Sequence, residues 1–252
     1  MRAVNADGAV VSARLLSSLV SLVALAAVSS ALAGCGGGSP ASAFNPTSGS
    51  APSRAQALSY ANAVNLQASD LHSAVVASQG SVGKAPKPGD VELDRCYGAA
   101  NPYNLVLKVV SPTFRGTTPG AFIQVNSTVE VEPAAALAAH NLAAIRTSRG
   151  LACLKRFLPR ALSQTGVAHY GPVTITPLPA LPSVPGSFGI RLATTVSGPT
   201  TGPIPFTADE LGFATGPAEV SLTATSAPQP IPTEDEERLL AVLYRRAQAH
   251  SL

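Results

Sequence analysis

Residues 123–131, Ile-Gln-Val-Asn-Ser-Thr-Val-Glu-Val, alternate apolar or small side chains with polar ones. Successive side chains of a strand point to opposite faces of its sheet, so this period of two predicts a strand with one buried face and one wet face. Such strands are typical of antiparallel sheets, because parallel sheets are covered on both faces. The stretch therefore predicts an antiparallel sheet with helices packed against it.

Further strands are predicted on both sides of this segment. The run 105–110 is rich in β-branched residues and stops at Ser111-Pro112, which indicates a buried strand. Proline-rich and glycine-rich connectors separate the later candidates, which are Val173 with Ile175, Phe188 to Val196, Phe206 to Phe213, and Val220 to Ala224. Short connectors between successive strands favour antiparallel hairpins.

Helices are predicted before and after the strands. Small and apolar residues recur at steps of four and three from Ala55 to Ala77, which indicates one helix with a core-facing stripe. A loop to Gly89 and a short turn carrying Cys96 should follow. Ala134 to Ile145 is rich in alanine, the strongest helix former.

Two more helices are predicted towards the C-terminus. One starts at about Leu151 and carries Cys153, and Pro159 is expected to end or kink it. In the last helix Thr233 is the expected N-cap and Glu236, three residues later, completes a capping box.

The predicted order is helix, strand, strand, two helices, several strands and a final helix. This order favours an α+β domain in which an antiparallel sheet is covered by helices on one side. The alternative is a doubly wound α/β fold, which the lack of a repeated strand-helix-strand unit disfavours.

The first 35 residues have the parts of a lipoprotein export signal. Arg2 and Arg14 supply positive charge, residues 15–33 form an uncharged apolar run, and Leu32-Ala33-Gly34-Cys35 resembles a bacterial lipobox. We expect cleavage after residue 34, acylation of Cys35, and anchoring on the extracytoplasmic face of a bacterial cell membrane. A permanent transmembrane helix, which needs about 20 apolar residues, is the alternative that the serines and alanines of the run disfavour.

The rest of the chain divides into a linker and one domain. Residues 35–54 are mostly small and polar and should form a flexible lipidated linker, and residues 55–252 have the size of a single domain. The net charge of +3 is spread without basic runs, so nothing in the composition favours nucleic acid as a partner.

The chain holds three cysteines, and two remain once Cys35 carries lipid. Because exported proteins fold in an oxidising compartment, we expect a disulfide between Cys96 and Cys153. Its loop of about 56 residues would stabilise the fold by about 4 kcal/mol in the chain-entropy model. A reactive thiol pair is the alternative, which lacks a Cys-x-x-Cys spacing.

Several motifs together resemble a known family. They are the lipobox, the helix motif Ala-x-x-Tyr-Ala-x-Ala-Val-Asn-Leu at 57–66, a cysteine ahead of Ser111-Pro112-x-Phe114, a second cysteine after an alanine-rich helix, and Asp209 followed by Gly216. The chain resembles actinobacterial sensor-domain-type lipoproteins, which are similar to the extracellular sensor domain of mycobacterial serine/threonine kinases. The resemblance implies a disulfide-containing α+β domain with a cleft for an unidentified ligand. The kinase domains usually hold two bridges, whereas this chain has cysteines for one.

Motifs of catalysis are not apparent, and we expect a protein that is not an enzyme and needs no cofactor or metal. The four histidines lie far apart in the sequence. The acidic residues Asp90, Glu92 and Asp94 lack the glycine and the later glutamate of a calcium loop, so they favour a solvated segment over a weak divalent-ion site. Asp209 and Glu210 are adjacent in a predicted strand and should face opposite sides of the sheet.

Two functions remain open from the sequence. The first is a membrane-anchored ligand-binding or sensor-like module, with a cleft for a small molecule, glycan or peptide. The second is an envelope scaffold that binds another protein and has no pocket. A cavity of several hundred cubic ångströms would favour the first.

Overall fold

The computed structural model describes residues 50–83, 88–100, 102–118, 120–163, 169–198 and 202–252. The predicted signal peptide and Cys35, the predicted site of lipidation, lie outside these residues. Five helices occur in the described part of the chain: Arg54–Val64 (α1), Pro88–Tyr97 (α2), Ala135–Ile145 (α3), Ser148–Ser163 (α4) and Thr233–Ala249 (α5). None of them is both long enough and apolar enough to cross a membrane.

The strands of the described residues form one 10-stranded sheet. They are Ala74–Ser78 (β1), Ser81–Gly83 (β2), Leu107–Val110 (β3), Thr113–Gly116 (β4), Phe122–Val131 (β5), His169–Tyr170 (β6), Thr174–Leu178 (β7), Phe188–Ser197 (β8), Ile204–Thr215 (β9) and Ala218–Ala227 (β10). The main order is β1-β4-β5-β10-β9-β8-β6, with β3 beside β5 and β7 beside β8. Every described strand pair is antiparallel, which confirms the α+β class and excludes a doubly wound arrangement for this sheet.

The strand that begins at Phe122 lies in the middle of the sheet, as the alternation of residues 123–131 predicts. Its partner β10 places Val220 opposite Val129 and Leu222 opposite Ser127. Val129, Val220 and Leu222 are buried on the same face. The intervening residues of β5, such as Thr128, remain partly exposed on the other face.

Helices cover both faces of the sheet, so the prediction of helices on one side is wrong. α1 and α5 lie on the face of Val129, where Val64 and Leu240 contribute to the main core. α4 lies on the opposite face, where Leu154 packs against Ile190 of β8. The second half of the sheet is therefore apolar on both faces, which the period-two pattern of β5 alone does not indicate.

The first helix is shorter than predicted: it ends at Val64 and does not continue to about residue 77. Asn65 leaves the helical conformation, and its side chain donates to the Val109 carbonyl at 3.2 Å and accepts from the Ser127 hydroxyl at 2.8 Å. These buried hydrogen bonds compensate for the helical turn that is lost. The β-branched residues that follow form the edge strand β1 instead.

Other local predictions need correction as well. Cys96 lies in helix α2 rather than in a short turn, and α4 continues through Pro159 to Ser163. The loop predicted for residues 78–89 includes strand β2, while residues 84–87 lie outside the described part. Strand β4, which lies between β1 and β5, was not predicted, and its Phe114 is buried in the main core.

The start of α5 also differs from the prediction. Pro232 is the N-cap and makes no side-chain capping bond, and Thr233 is the first helical residue. Glu236 does not complete a capping box, because it is 2% exposed and lies 3.9 Å from Arg191 of β8. The capping-box prediction is therefore wrong, and this glutamate belongs to a buried charge cluster.

Candidate ligand-binding cleft

A polar surface covers the middle of the sheet on the face opposite α1 and α5. Three rows of facing residues cross neighbouring strands there: Lys108, Glu130 and Glu219; Val110, Thr128, Ser221 and Gly212; and Asn126, Thr223 and Glu210. Because alternate residues of each strand share a face, the antiparallel register alone brings these side chains together. We call the eight polar residues of these rows, which leave out Val110 and Gly212, the polar floor.

Hydrogen bonds and an ion pair organise the polar floor. The ammonium of Lys108 lies 2.6 Å from Glu130 Oε1. Thr223 Oγ1 donates to Glu210 Oε2 at 2.7 Å. These contacts hold the charged groups in place, while the hydroxyls and amide of the floor provide further donors and acceptors.

Apolar side chains form the wall of the cleft. α3 contributes Leu142 and Ile145, and α2 contributes Tyr97. Phe188, the first residue of β8, faces Gly212 across the strand pair. A Cβ atom on Gly212 would lie 2.5 Å from Phe188 Cε1, so only glycine permits the aromatic ring to pack this closely on the sheet.

The space between the polar floor and this wall is a cavity of about 320 Å³. Ligand pockets in proteins are typically about 300–1,000 Å³, with apolar walls and a few convergent polar groups. The cleft has both features. Its volume lies at the small end of that range, which suits a ligand with few ring systems.

Burial raises the pKa of the acidic groups around the floor. The pKa of Glu219 rises to about 9, first because of burial and second because of the charge of Glu130. The same two causes raise the pKa of Glu132 to about 7. Burial also raises the pKa of Glu210, although its hydrogen bond from Thr223 acts in the opposite direction.

Asn141 of α3 connects two of these carboxyl groups. Its Nδ2 donates to Glu132 Oε1 at 2.9 Å and to Glu219 Oε1 at 2.8 Å, and its Oδ1 accepts from the Ala100 amide at 2.7 Å. One amide side chain thus joins α3, the end of β5 and the polar floor. Glu132 Oε2 is buried and has no hydrogen-bond partner among the described residues.

Tyr97 at the wall makes a short hydrogen bond, in which its hydroxyl donates to Asp94 Oδ1 at 2.5 Å. Burial, followed by the charge of Asp94, raises the pKa of the Tyr97 phenol above its usual range. The ring therefore stays neutral and is held in one orientation against the cleft.

A second charged cluster lies on the opposite face of the sheet. Arg191 Nε donates to Asp209 Oδ1 at 2.8 Å, and Arg191 Nη2 contacts Asp209 Oδ2 at 2.5 Å. Burial, together with a hydrogen bond to Asp209 and its charge, raises the pKa of Glu236 to about 9. This cluster joins β8, β9 and α5, and it is separated from the cleft by the sheet.

The sequence-predicted residues have different outcomes. Cys96 and Cys153 form the expected disulfide, with Cα atoms 5.8 Å apart, which connects α2 to α4. Asp209 and Glu210 face opposite sides of the sheet, as predicted from strand geometry. Within the described residues no group of three or more His, Cys, Asp or Glu is arranged to hold a metal ion.

The residues of the cleft were not predicted from the sequence. A signal was available, because the polar positions of 123–131 alternate with those that face the main core. Assigning them to a common site required the register of β5 against β10, which the sequence pattern does not determine. The place of Phe188 in the wall of the cleft, opposite Gly212, depends on the pairing of β8 with β9, which lie still further along the chain.

The geometry defines an α+β domain with one disulfide and a cleft on its polar sheet face. No family model matches the chain, and no curated protein matches it. Among solved structures, the crystal structure of the extracellular domain of PknH from Mycobacterium tuberculosis is similar to it at 11% sequence identity and a TM-score of 0.45. The match covers 81% of this chain and 98% of that chain. Because a likeness at this level carries no argument, we infer the function from the residues of the cleft.

Proposed function

We propose that this chain is a lipid-anchored, extracytoplasmic ligand-binding module of the sensor type, and that the cleft above the polar floor is its binding site. The observation that carries the proposal is a cavity of about 320 Å³ with a polar floor and an apolar wall. An envelope scaffold without a pocket would not need this arrangement, because close packing of α3 on the sheet would be more stable.

The extracytoplasmic location has two independent supports. The residues that precede Cys35 have the order of a lipoprotein signal, with charge, an apolar run and small residues. The Cys96–Cys153 disulfide suits an oxidising compartment, because disulfides persist outside the cytoplasm and are rare within it. The lipid at Cys35 would hold the domain at the membrane without a protein span.

The proposal assigns the carboxyl groups of the floor to binding rather than to catalysis. Glu130 is engaged by Lys108, Glu210 by Thr223 and Glu219 by Asn141. Side chains held in this way position hydrogen-bonding atoms for a ligand. A general base would instead need a carboxylate with access to a substrate proton.

Native mass spectrometry of the full chain purified from its own host tests the proposal. We expect an additional mass on the wild-type protein, and we expect Ser221→Phe to lose it because the new ring fills the cleft. Val75→Phe is the matched control, since it adds the same ring at a side chain that is 53% exposed on the edge strand β1. Thr128→Val, which removes one floor hydroxyl at nearly constant volume, should weaken retention in a variant that keeps the fold.

A wild-type chain without bound mass, or a mass that Ser221→Phe and Thr128→Val retain in full, would contradict the proposal. A second candidate, the envelope scaffold, is favoured by the exposed apolar residues Val75, Val76 and Val82 on the edge strands β1 and β2. For a scaffold, Val75→Phe would change the bound partner and Ser221→Phe would not. The same pair of variants therefore separates the two functions.

A further inference from the structure

The cleft presents two chemically different surfaces to a ligand. Hydroxyl and amide groups of Asn126, Thr128 and Ser221 occupy the polar floor at the spacing of neighbouring strands. Leu142 and Phe188 present carbon atoms from the wall. A ligand that matches this cleft therefore needs several hydrogen-bonding groups on one side and an apolar face on the other.

The charges of the cleft disfavour an anionic ligand. Lys108 is the only basic side chain among the described residues that line it, and its ammonium lies 2.6 Å from Glu130. A phosphate or carboxylate would have to compete with Glu130 for this ammonium and would meet the charge of Glu130 itself. Like charges in a partly buried site repel strongly, because water screens them poorly.

A cationic ligand is also disfavoured near neutral pH. Glu219 has a pKa of about 9 and keeps its proton at pH 7, so the empty cleft holds a neutral carboxyl group at this position. A cation that forms an ion pair with Glu219 would first have to displace that proton, which weakens its binding at pH 7.

We propose that the cleft binds an uncharged saccharide, with its hydroxyl groups on the polar floor and one apolar ring face against Phe188. This inference rests on the proposed function and names the ligand class of the same site. Sugars combine a ring of hydroxyl groups with patches of C–H bonds, which is the combination that the two surfaces require.

Glu219 has a defined role in this complex. Its Oε1 accepts a hydrogen bond from Asn141, and the described residues place no partner on its second oxygen. The protonated carboxyl can donate from that oxygen to a sugar oxygen. Loss of the proton converts this donor into a negative charge, so saccharide binding should weaken as the pH rises through about 9.

Several ionisable groups face Glu219 and contribute to this pH dependence. Glu130, Glu132 and Asp94 act on Glu219 through their charges, and Tyr97 of α2 interacts with it as well. Glu210 of β9 and Lys108 of β3 line the same cleft. Most of them are acidic, so their ionisation adds negative charge and acts in the same direction as the loss of the Glu219 proton.

The test titrates each probe into the full lipidated chain in deuterated detergent. Saturation-transfer NMR measures the binding at each step. The probes are glucose, mannose and N-acetylglucosamine, as monosaccharides and disaccharides, with butylammonium as the cationic comparison. We expect at least one saccharide to bind, and its affinity to fall about tenfold between pH 7 and pH 10, because about a tenth of Glu219 keeps its proton one unit above its pKa. Glu219→Gln should lose most of the alkaline fall, so that its saccharide affinity changes less than about twofold between pH 7 and pH 10, since an amide cannot ionise.

Failure to bind any saccharide would overturn the inference. So would butylammonium binding that is tighter than that of every sugar, strengthens from pH 7 to pH 10 and is lost in Glu219→Gln. Either result leaves the proposed function intact if protein from the host still carries a mass that Ser221→Phe removes. Absence of that mass would instead overturn the binding function itself.

Discussion

Removal of the Cys96–Cys153 disulfide should destabilise the domain by about 4 kcal/mol. The bridge joins residues 57 positions apart. In the chain-entropy model, a loop of this length restricts the unfolded state by about 14 cal/mol/K, which is about 4 kcal/mol at 25 °C. Cys153 is 5% exposed, so a serine at this position adds a further penalty for burying a hydroxyl.

The disulfide also supports the wall of the cleft. Tyr97 follows Cys96 directly at the end of α2, and α2 is held against α4 by the bridge and by Arg149, whose Nε donates to the Cys96 carbonyl at 2.7 Å. Without the bridge, α2 keeps the hydrogen bond and loses the covalent restraint. We therefore expect weaker ligand retention in the cleft as well as lower stability.

Urea unfolding followed by circular dichroism measures the effect. The reduced wild-type chain should unfold well below the oxidised wild type in urea, and the Cys96→Ser/Cys153→Ser double variant should unfold at or somewhat below the reduced chain. The reduced chain is the control, because it loses the bridge without gaining the buried serine hydroxyl. A difference below about 1 kcal/mol between oxidised and reduced wild type would refute the assignment of a stabilising role to this disulfide.

Two further predictions concern the buried acid and the membrane anchor. Glu236 has a pKa of about 9 in the folded chain and of about 4.5 when unperturbed, as in the unfolded chain. Its stabilising contribution is therefore complete below about pH 4.5 and is lost progressively up to about pH 9. Glu236→Gln keeps an amide donor for Asp209 and cannot ionise, so the stability of this variant should fall less from pH 6 to pH 9; an equal fall in urea unfolding would rule out the proposed ionisation. Cys35→Ala should prevent lipidation. The variant should then either leave the membrane fraction or remain unprocessed, which a gel shows as a larger chain than the wild type. A variant of wild-type size that stays in the membrane fraction would show a true membrane span.

Local sequence patterns predicted the strands of the sheet better than they predicted which of its faces the helices cover. The alternation from Ile123 to Val131 placed β5 correctly, because burial on one face leaves a direct trace in the sequence. The same kind of trace identified the strands from Phe188 onwards. α4 packs on the face of the sheet opposite α1 and α5, against residues of β8 such as Ile190 and Leu192. The period of two in β5 contains no information about these distant residues.

The errors at the helix ends have a common physical cause. Asn65 ends α1 because its side chain bonds to strands that are more than 40 residues away in the sequence. Glu236 has the spacing of a capping residue, yet tertiary contacts with Arg191 and Asp209 hold it in the interior. In both cases a long-range polar contact outweighs the local preference on which the prediction depended.

The disulfide could be predicted because compartment and cysteine count leave few alternatives. The cleft could not, because its floor combines residues from β3, β5, β9 and β10 that are up to 115 positions apart, from Lys108 to Thr223. Only the registers between these strands show that Lys108, Glu130 and Glu219 share one row.

Methyl NMR of the full chain with its ligand tests most directly whether the cleft is the binding site. Leu142 and Ile145 report from the wall of the cleft, and the exposed Val75 and Val82 report from the sheet edge. We predict that ligand addition shifts the methyl signals of Leu142 and Ile145 and leaves those of Val75 and Val82 unchanged. Shifts at the edge valines with unchanged signals from the cleft would contradict the account and favour a scaffold that binds through its edge strands.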